Sequence, residues 1–288
     1  MANGILIVNK PSGWTSQDVV AKLRGVFHEK RVGHGGTLDP MATGVLPVFL
    51  GRATRAVEFF EHAEKEYVAT LRLGLVTDTQ DVTGTVLQQQ EVSISESELS
   101  AVFPRFLGEI EQIPPMYSAV KVGGKRLYEI ARKGGEVERK PRRITIFALE
   151  ILDGDGTDYR LRVACSKGTY IRTLCHDIGQ ALGCGGCMAA LERTKAGAYT
   201  LAQAHTMDEI LSAEDKSALL LPTDSLFASC PALTVPPAAE VKLRNGAPVS
   251  VGDLPNGSYR VYAKSGEFLL LGRIENGRLL TVKSFFAV

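Results

Sequence analysis

The chain has 288 residues, of which 44% are hydrophobic and 23% charged, with a formal net charge of +1. This length and balance predict one large globular unit, or a large one with a small companion, and exclude a disordered, uniformly polybasic or collagen-like chain. The near-zero net charge hides a local bias. Lys121 to Arg143 holds nine Lys and Arg against three Glu, a net of +6 that leaves about −5 for the remainder. A basic patch on a mildly acidic body is an electrostatic footprint.

In chain order, the apolar run Ile5–Val8 predicts a buried strand, ended by the turn residues Asn9-Lys10-Pro11-Ser12-Gly13. Four apolar residues are too few for an export signal. The five cysteines are therefore expected to be reduced thiols in a cytoplasm. No stretch is long enough to span a membrane. Thr15 and Asp18 are spaced as a capping box ahead of Val19, Val20, Leu23 and Val26 at helical spacing.

The glycine-rich stretch 33–44 follows. In it a single acid, Asp39, is held by Pro40 among small and hydroxyl residues. Such a loop is a rigid mount for one carboxylate or an ordinary Asp-Pro turn, and the loop alone favours the turn. A strand from Val45 and a helix over residues 53–64 come next. Tyr67 then opens an alternating strand, and Thr77–Gly84 is expected to be a surface loop.

Ser95 and Glu98 form a second capping box. From Pro114 to Ile144 the periodicity weakens, so a projecting insertion with some helix near Tyr128–Arg132 is expected. A strand carrying Tyr159, Leu161, Val163 and Cys165 leads to a helix starting near Ile171. Gly183 is its expected stop. Tyr170 and Arg172 lie at this junction, two apart and on one face while the chain is extended. Prolines at 222, 231, 236 and 237 suggest a boundary near Ser229. Beyond it, Asn-Gly and Ser-Gly turns between short apolar runs predict a small β-barrel. Cys184 and Cys187, with Cys175 and His176 upstream, do not make a convincing metal spacing.

Several blocks in order resemble one family closely. They are Gly33-His34-Gly35-Gly36-Thr37-Leu38-Asp39-Pro40, Lys65-Glu66-Tyr67, Pro114-Pro115-Met116-Tyr117-Ser118-Ala119-Val120-Lys121, Cys165 to Leu174, and Leu191-Glu192-Arg193-Thr194. With Asn9–Gly13 they resemble the TruB family of pseudouridine synthases, which act on uridine 55 of tRNA. The resemblance spans nearly the whole chain. It departs at Gly35, where Thr is common, and at Ala196, where Ser is common.

The resemblance implies an α+β fold with a mixed, mostly antiparallel central sheet flanked by helices and a small C-terminal β-barrel. The implied division is a catalytic unit over 1–229, with an RNA-clamping insertion about 114–144, and a PUA-like RNA-binding barrel over 230–288. Asp39 matches the catalytic aspartate, Arg172 its arginine partner and Tyr67 the ring that stacks on the flipped uracil. Tyr170 and Leu191 match positions lining the base pocket, and His34 matches a histidine inserted into the RNA. Lys121, Lys125, Arg126, Arg132, Arg139, Arg142 and Arg143 are expected on tRNA phosphates. The partner implied is the tRNA T stem-loop, met by a monomer without an obligate protein partner. Because the reaction only moves a glycosidic bond, no cofactor and no metal are expected.

Overall fold

The computed structural model describes residues 2–118, 120–131 and 133–287, with the backbone alone at Lys121 and Arg126. Strand β1 (Gly4–Lys10) runs into helix α1 (Ser16–Val26). The helix begins where the capping box places it: Asp18 N–H donates to Thr15 Oγ1 at 3.0 Å, and Thr15 N–H donates to Asp18 Oδ2 at 2.8 Å. Strands β2 (Val32–His34) and β3 (Thr43–Leu50) follow. The single helix expected over 53–64 is instead a 3₁₀ segment, Gly51–Ala56, and a one-turn helix α2 (Val57–Phe60). The Thr54 hydroxyl donates back to the Gly51 carbonyl at 2.7 Å, a local bond that competes with the α-helical ladder.

Strand β4 (Lys65–Leu73) is followed by the hairpin β5 (Leu75–Thr77) and β6 (Val86–Gln89). Helix α3 (Glu96–Val102) starts at the second capping box. It yields at Pro104 to a 3₁₀ turn, because proline has no amide to continue the ladder. Then come β7 (Gly108–Gln112), a small hairpin β8 (Lys121–Val122) and β9 (Lys125–Arg126), and α4 (Leu127–Ala131). Strands β10 (Arg142–Gly154) and β11 (Asp158–Cys165), helix α5 (Ile171–Ala181), β12 (Gly186–Ala196), β13 (Tyr199–Thr200) and α6 (Met207–Ser212) follow.

The central sheet has the order β1-β3-β12-β4-β11-β10-β7, with β2 and β13 attached to β3 and β12. Only β3–β12 is parallel, so the sheet is mixed and mostly antiparallel, as expected. Strand β1 is covered on both faces. Leu6 and Val8 join the core formed with α1 and α5, while Ile5 and Ile7 pack with Phe49, Phe60, Tyr199 and Phe227. Burial on two sides explains the unbroken apolar run, each such side chain contributing about 1.5–3 kcal/mol.

Near the C-terminus, β14 (Ala232–Thr234), α7 (Pro237–Arg244), β15 (Val249–Ser250), β16 (Gly257–Tyr262), β17 (Phe268–Glu275) and β18 (Arg278–Ser284) form a curled half-barrel sheet with one helix. The helix differs from the expected all-strand unit. Pro236 and Pro237 start it rather than mark a linker, since proline suits the first helical position. Asn245-Gly246 ends this helix and does not join two strands. Leu271 and Phe285 pack against Phe227 and the β1 face, joining this sheet to the larger body.

Candidate active site

The Asp39 loop is stitched down on both sides of the carboxylate. Upstream, Leu38 N–H donates to Ser16 Oγ at 2.8 Å, and the hydroxyl donates back to Leu38 O at 3.2 Å. Downstream, Gly13 N–H donates to Pro40 O at 2.8 Å, and Ala42 N–H closes the turn onto Asp39 O at 3.0 Å. The fully buried Lys10 adds its ammonium to Pro40 O at 3.2 Å, Pro11 O at 2.8 Å and Trp14 O at 2.7 Å. Burial pulls Lys10 down to about 8, and Asp39 opposes that shift. Its place in the Asn9–Gly13 turn gave no sign of this role.

Arg172, 5% exposed at the start of α5, meets the Asp39 carboxylate with both arms of its fork. Nε lies 2.9 Å from Oδ2, and Nη2 donates to Oδ1 at 3.3 Å. The rest of the guanidinium is occupied too. Nη2 donates to Tyr117 O at 2.8 Å, Nη1 donates to Thr79 O at 3.2 Å, and Nη1 lies 3.8 Å from Asp81 Oδ2. Four residues placing oxygens around one planar group fix its direction and that of the carboxylate it holds. Desolvation raises the Asp39 pKa above the ordinary carboxylate value. Arg172 opposes the rise and Asp81 adds to it.

Asp81 corrects the expectation for Thr77–Gly84. This stretch is not simply a surface loop: Thr77 and Asp81 are buried in it. Asp81 Oδ1 accepts Thr79 Oγ1 at 2.8 Å, Thr83 N–H at 3.0 Å and Thr83 Oγ1 at 2.5 Å. That leaves Oδ2 toward Arg172. The alternation of Thr and Asp was the available signal, since nearby hydroxyls can satisfy a carboxylate taken out of water.

Tyr67 sits on β4 opposite Arg193 of β12 and Val163 of β11, in the core between the sheet and α5. Burial raises its pKa, Arg193 opposes, and Asp39 adds a smaller upward push. Arg193, 1% exposed, donates from Nε to Val45 O at 2.7 Å and from Nη2 to Gly36 O at 3.2 Å. It therefore ties the strand of Tyr67 to the loop of Asp39, a link sequence reading missed. Gly44 has φ +99, and a Cβ there would overlap the Arg193 carbonyl, so glycine is required for this approach. At Gly35 the Phe60 ring fills the space a side chain would occupy, which accounts for the absence of Thr.

Leu191 is paired with Ala69 and shares the face of Tyr67 and Arg193. Tyr170 caps α5 with its main chain. Its N–H donates to Gln112 Oε1 at 2.8 Å, and Gln112 Nε2 donates to its carbonyl at 3.0 Å. His34, on β2, is partly buried with its Nδ1 unpartnered among the described residues. Desolvation, and then Arg193, lower its pKa. Of the basic stretch, Lys125 and Arg142 are exposed, and Arg143 is exposed beside Glu109 at 3.5 Å. Arg139 turns inward, donating to Pro114 O at 3.2 Å and lying 3.3 Å from Glu136. Arg132 lies outside the described residues, and Lys121 and Arg126 are described by backbone alone.

Comparison with known families gives the class. A family model described as TruB family pseudouridylate synthase (N terminal domain) matches residues 24–171. Models of the tRNA pseudouridylate synthase B C-terminal domain and of pseudouridine synthase II TruB, C-terminal, match 172–228 and 231–281. The chain is a pseudouridine synthase, an enzyme of the isomerase class. It belongs to the TruB family.

Among its relatives, tRNA pseudouridine synthase B of Dechloromonas aromatica (strain RCB) is 45% identical over 283 residues, covering 98% of this chain and 94% of that protein. The protein of the same name from Clostridium kluyveri is 42% identical, covering 98% and 99%. Among solved structures, one of a Cbf5-Nop10-Gar1 complex superposes with a TM-score of 0.75 at 28% identity, covering 99% of this chain and 85% of that one. An H/ACA RNP bound to a substrate RNA containing 2′-deoxyuridine gives 0.74 at 25% identity, with the same coverage.

Proposed function

We propose that this enzyme isomerises uridine 55 in the T loop of tRNA to pseudouridine, working as a monomer in the cytoplasm without a guide RNA or protein partner. The observation that carries the reading is the two-armed Asp39–Arg172 pair, with Tyr67 of β4 facing Arg193 of β12 across the sheet. The identity of 41–45% to standalone-named relatives, against 25–28% to chains of ribonucleoprotein complexes, favours action without a guide.

The target base leaves its stack to reach the site. The N1–C1′ bond breaks, the uracil turns while bound, C5 bonds to C1′, and the C5 proton is replaced by one at N1. Atoms balance with no cofactor. Asp39 acts at the sugar, as a nucleophile or as a base, and Arg172 keeps it ionised and aimed. Tyr67 holds the detached uracil by stacking, with Tyr170 and Leu191 lining the pocket, while His34 fills the space vacated in the RNA. Residues 1–229 form the catalytic unit, 230–288 a second RNA-binding unit, and Lys121, Lys125, Arg126, Arg132, Arg139, Arg142 and Arg143 serve the tRNA backbone.

Tyr67→Leu should lower turnover by the worth of one stack, about 1–3 kcal/mol or roughly five- to 150-fold, and weaken tRNA binding far less. Single-turnover rates and equilibrium binding check this; an unaltered rate removes the stacking role. Neutralising Lys125, Arg142 and Arg143 together should weaken binding and flatten its salt dependence by about 0.7–0.9 for each phosphate left without its cation. A slope equal to that of the wild type would return the stretch to a merely solvated loop.

The function itself is tested by tritium release from a transcript labelled at uracil C5. The purified chain alone should release label from tRNA and none from a transcript with cytidine at position 55. Release that needs a guide RNA or added proteins, or tRNA binding with no release at all, would contradict the reading.

A further inference from the structure

A second group of basic side chains gathers where β4 begins and β11 ends, apart from the basic insertion. Lys65 is in register with Cys165, and Lys167 lies two residues past the end of β11. His62 stands in the turn after α2. The Lys167 ammonium meets His62 Nδ1 at 2.6 Å, both side chains being exposed. Lys65 is anchored on Ala63 O at 2.5 Å, and its ammonium lies 5.8 Å from the Phe60 ring centroid.

Among the described residues none of these three forms an ion pair. Three other half-exposed cations do have carboxylate partners: Arg72 is matched by Asp158 at 2.5 Å, Arg162 by Glu66 at 2.8 Å and Lys283 by Glu58 at 2.5 Å. Lys65 instead feels Arg193 and Lys167, with Glu61 and Cys165 opposing them; burial first, and then these cations, bring it down to about 8. Holding basic groups against one another without a carboxylate is unfavourable unless an anion completes the set.

The position says which anion. Lys65 is two residues before Tyr67 on the same strand face, and Lys167 is three before Tyr170 and five before Arg172. We propose that His62, Lys65 and Lys167 form a phosphate subsite that takes a backbone phosphate of the RNA strand next to the flipped uridine. The inference rests on the tRNA reading given above. The ammonium of Lys167 has hydrogens left after its bond to His62, and in the tautomer whose Nδ1 accepts that bond His62 Nε2 carries a further N–H. The subsite grips the strand beside the very nucleotide whose base is being turned.

The test uses the full chain and a tRNA T stem-loop, with Lys167→Ala and Lys167→Arg. Lys167→Ala should weaken binding about tenfold at 0.1 M salt and flatten the salt slope by roughly 0.7–0.9, whereas Lys167→Arg keeps the slope. A single uncharged methylphosphonate linkage, moved along the loop, should weaken the wild type at one position flanking the target uridine. At that position Lys167→Ala should show no further loss. Because Lys167 is exposed, melting temperatures should not move. A Lys167→Ala slope equal to the wild type, with the wild type binding and forming pseudouridine, overturns the subsite alone. A wild type that neither binds the stem-loop nor modifies it overturns the substrate reading, and the subsite falls with it.

Discussion

Asp39→Asn is expected to lower pseudouridine formation by on the order of 10⁴-fold or more while leaving tRNA binding in place and the fold no less stable. The amide keeps the shape of the carboxyl and its one oxygen can still accept from one arm of Arg172, but it is neither a nucleophile nor a base. The stability half of the expectation follows from sign. Burial outweighs Arg172 and raises Asp39 above its ordinary value, so the folded chain holds this proton more tightly than the unfolded chain does. The ionised form therefore weighs against folding at neutral pH, a burden relieved as pH falls through the raised value. Asparagine carries no such charge. Thermal melts at pH 7 should show an equal or higher midpoint than the wild type, beside an inactive enzyme. A midpoint several degrees lower would mean that the pair with Arg172 stabilises the fold, and retained activity would remove Asp39 from the chemistry.

Arg172→Ala should cost both stability and activity. It leaves Asp81, itself 5% exposed, without its cation and strands the carbonyls of Thr79 and Tyr117. Removing one partner from a buried charge pair costs about 3–5 kcal/mol, which urea unfolding would register. At the active carboxylate, loss of the guanidinium removes the largest influence holding Asp39 down, so its pKa climbs further. In the proposed reaction Asp39 acts ionised, so activity should fall as pH drops through that value. The acidic limb of the pH–rate profile should therefore move to higher pH in Arg172→Ala. Arg172→Lys should recover part of the limb but little of the rate, because an ammonium cannot reach both carboxylate oxygens and two carbonyls at once. An acidic limb that stays in place would show that Arg172 does not set the charge of Asp39.

What the sequence disclosed was local. The two capping boxes, the doubly buried run of β1 and the Asp39 mount all depend on residues within a few positions of one another. The site blocks around Asp39, Tyr67, Tyr170 and Arg172 were singled out through family resemblance. The distant residues that hold these side chains in place were not. Arg193 reaches Val45 across 148 residues, and Lys10 reaches Pro40 across 30. No periodicity encodes either bond.

Asp81 was misjudged because a Thr- and Asp-rich stretch has the composition of an exposed loop, and only the fold shows its hydroxyls turned inward. Helix α7 was missed for a related reason: a Pro-Pro pair marks a boundary and a helix start equally well. The charge imbalance of 121–143 was visible by counting, but the inward turn of Arg139 depends on the distant Pro114 carbonyl.

The most direct measurement maps pseudouridine along an unmodified tRNA transcript. Because the isomer has the mass of uridine, the transcript is treated with a carbodiimide that marks pseudouridine at N3 and then read position by position. The wild-type chain, with nothing added, should produce one mark, at position 55, and the Asp39→Asn chain none. A mark at another position, or an equal mark with Asp39→Asn, would contradict a reaction that runs on one carboxylate held by Arg172.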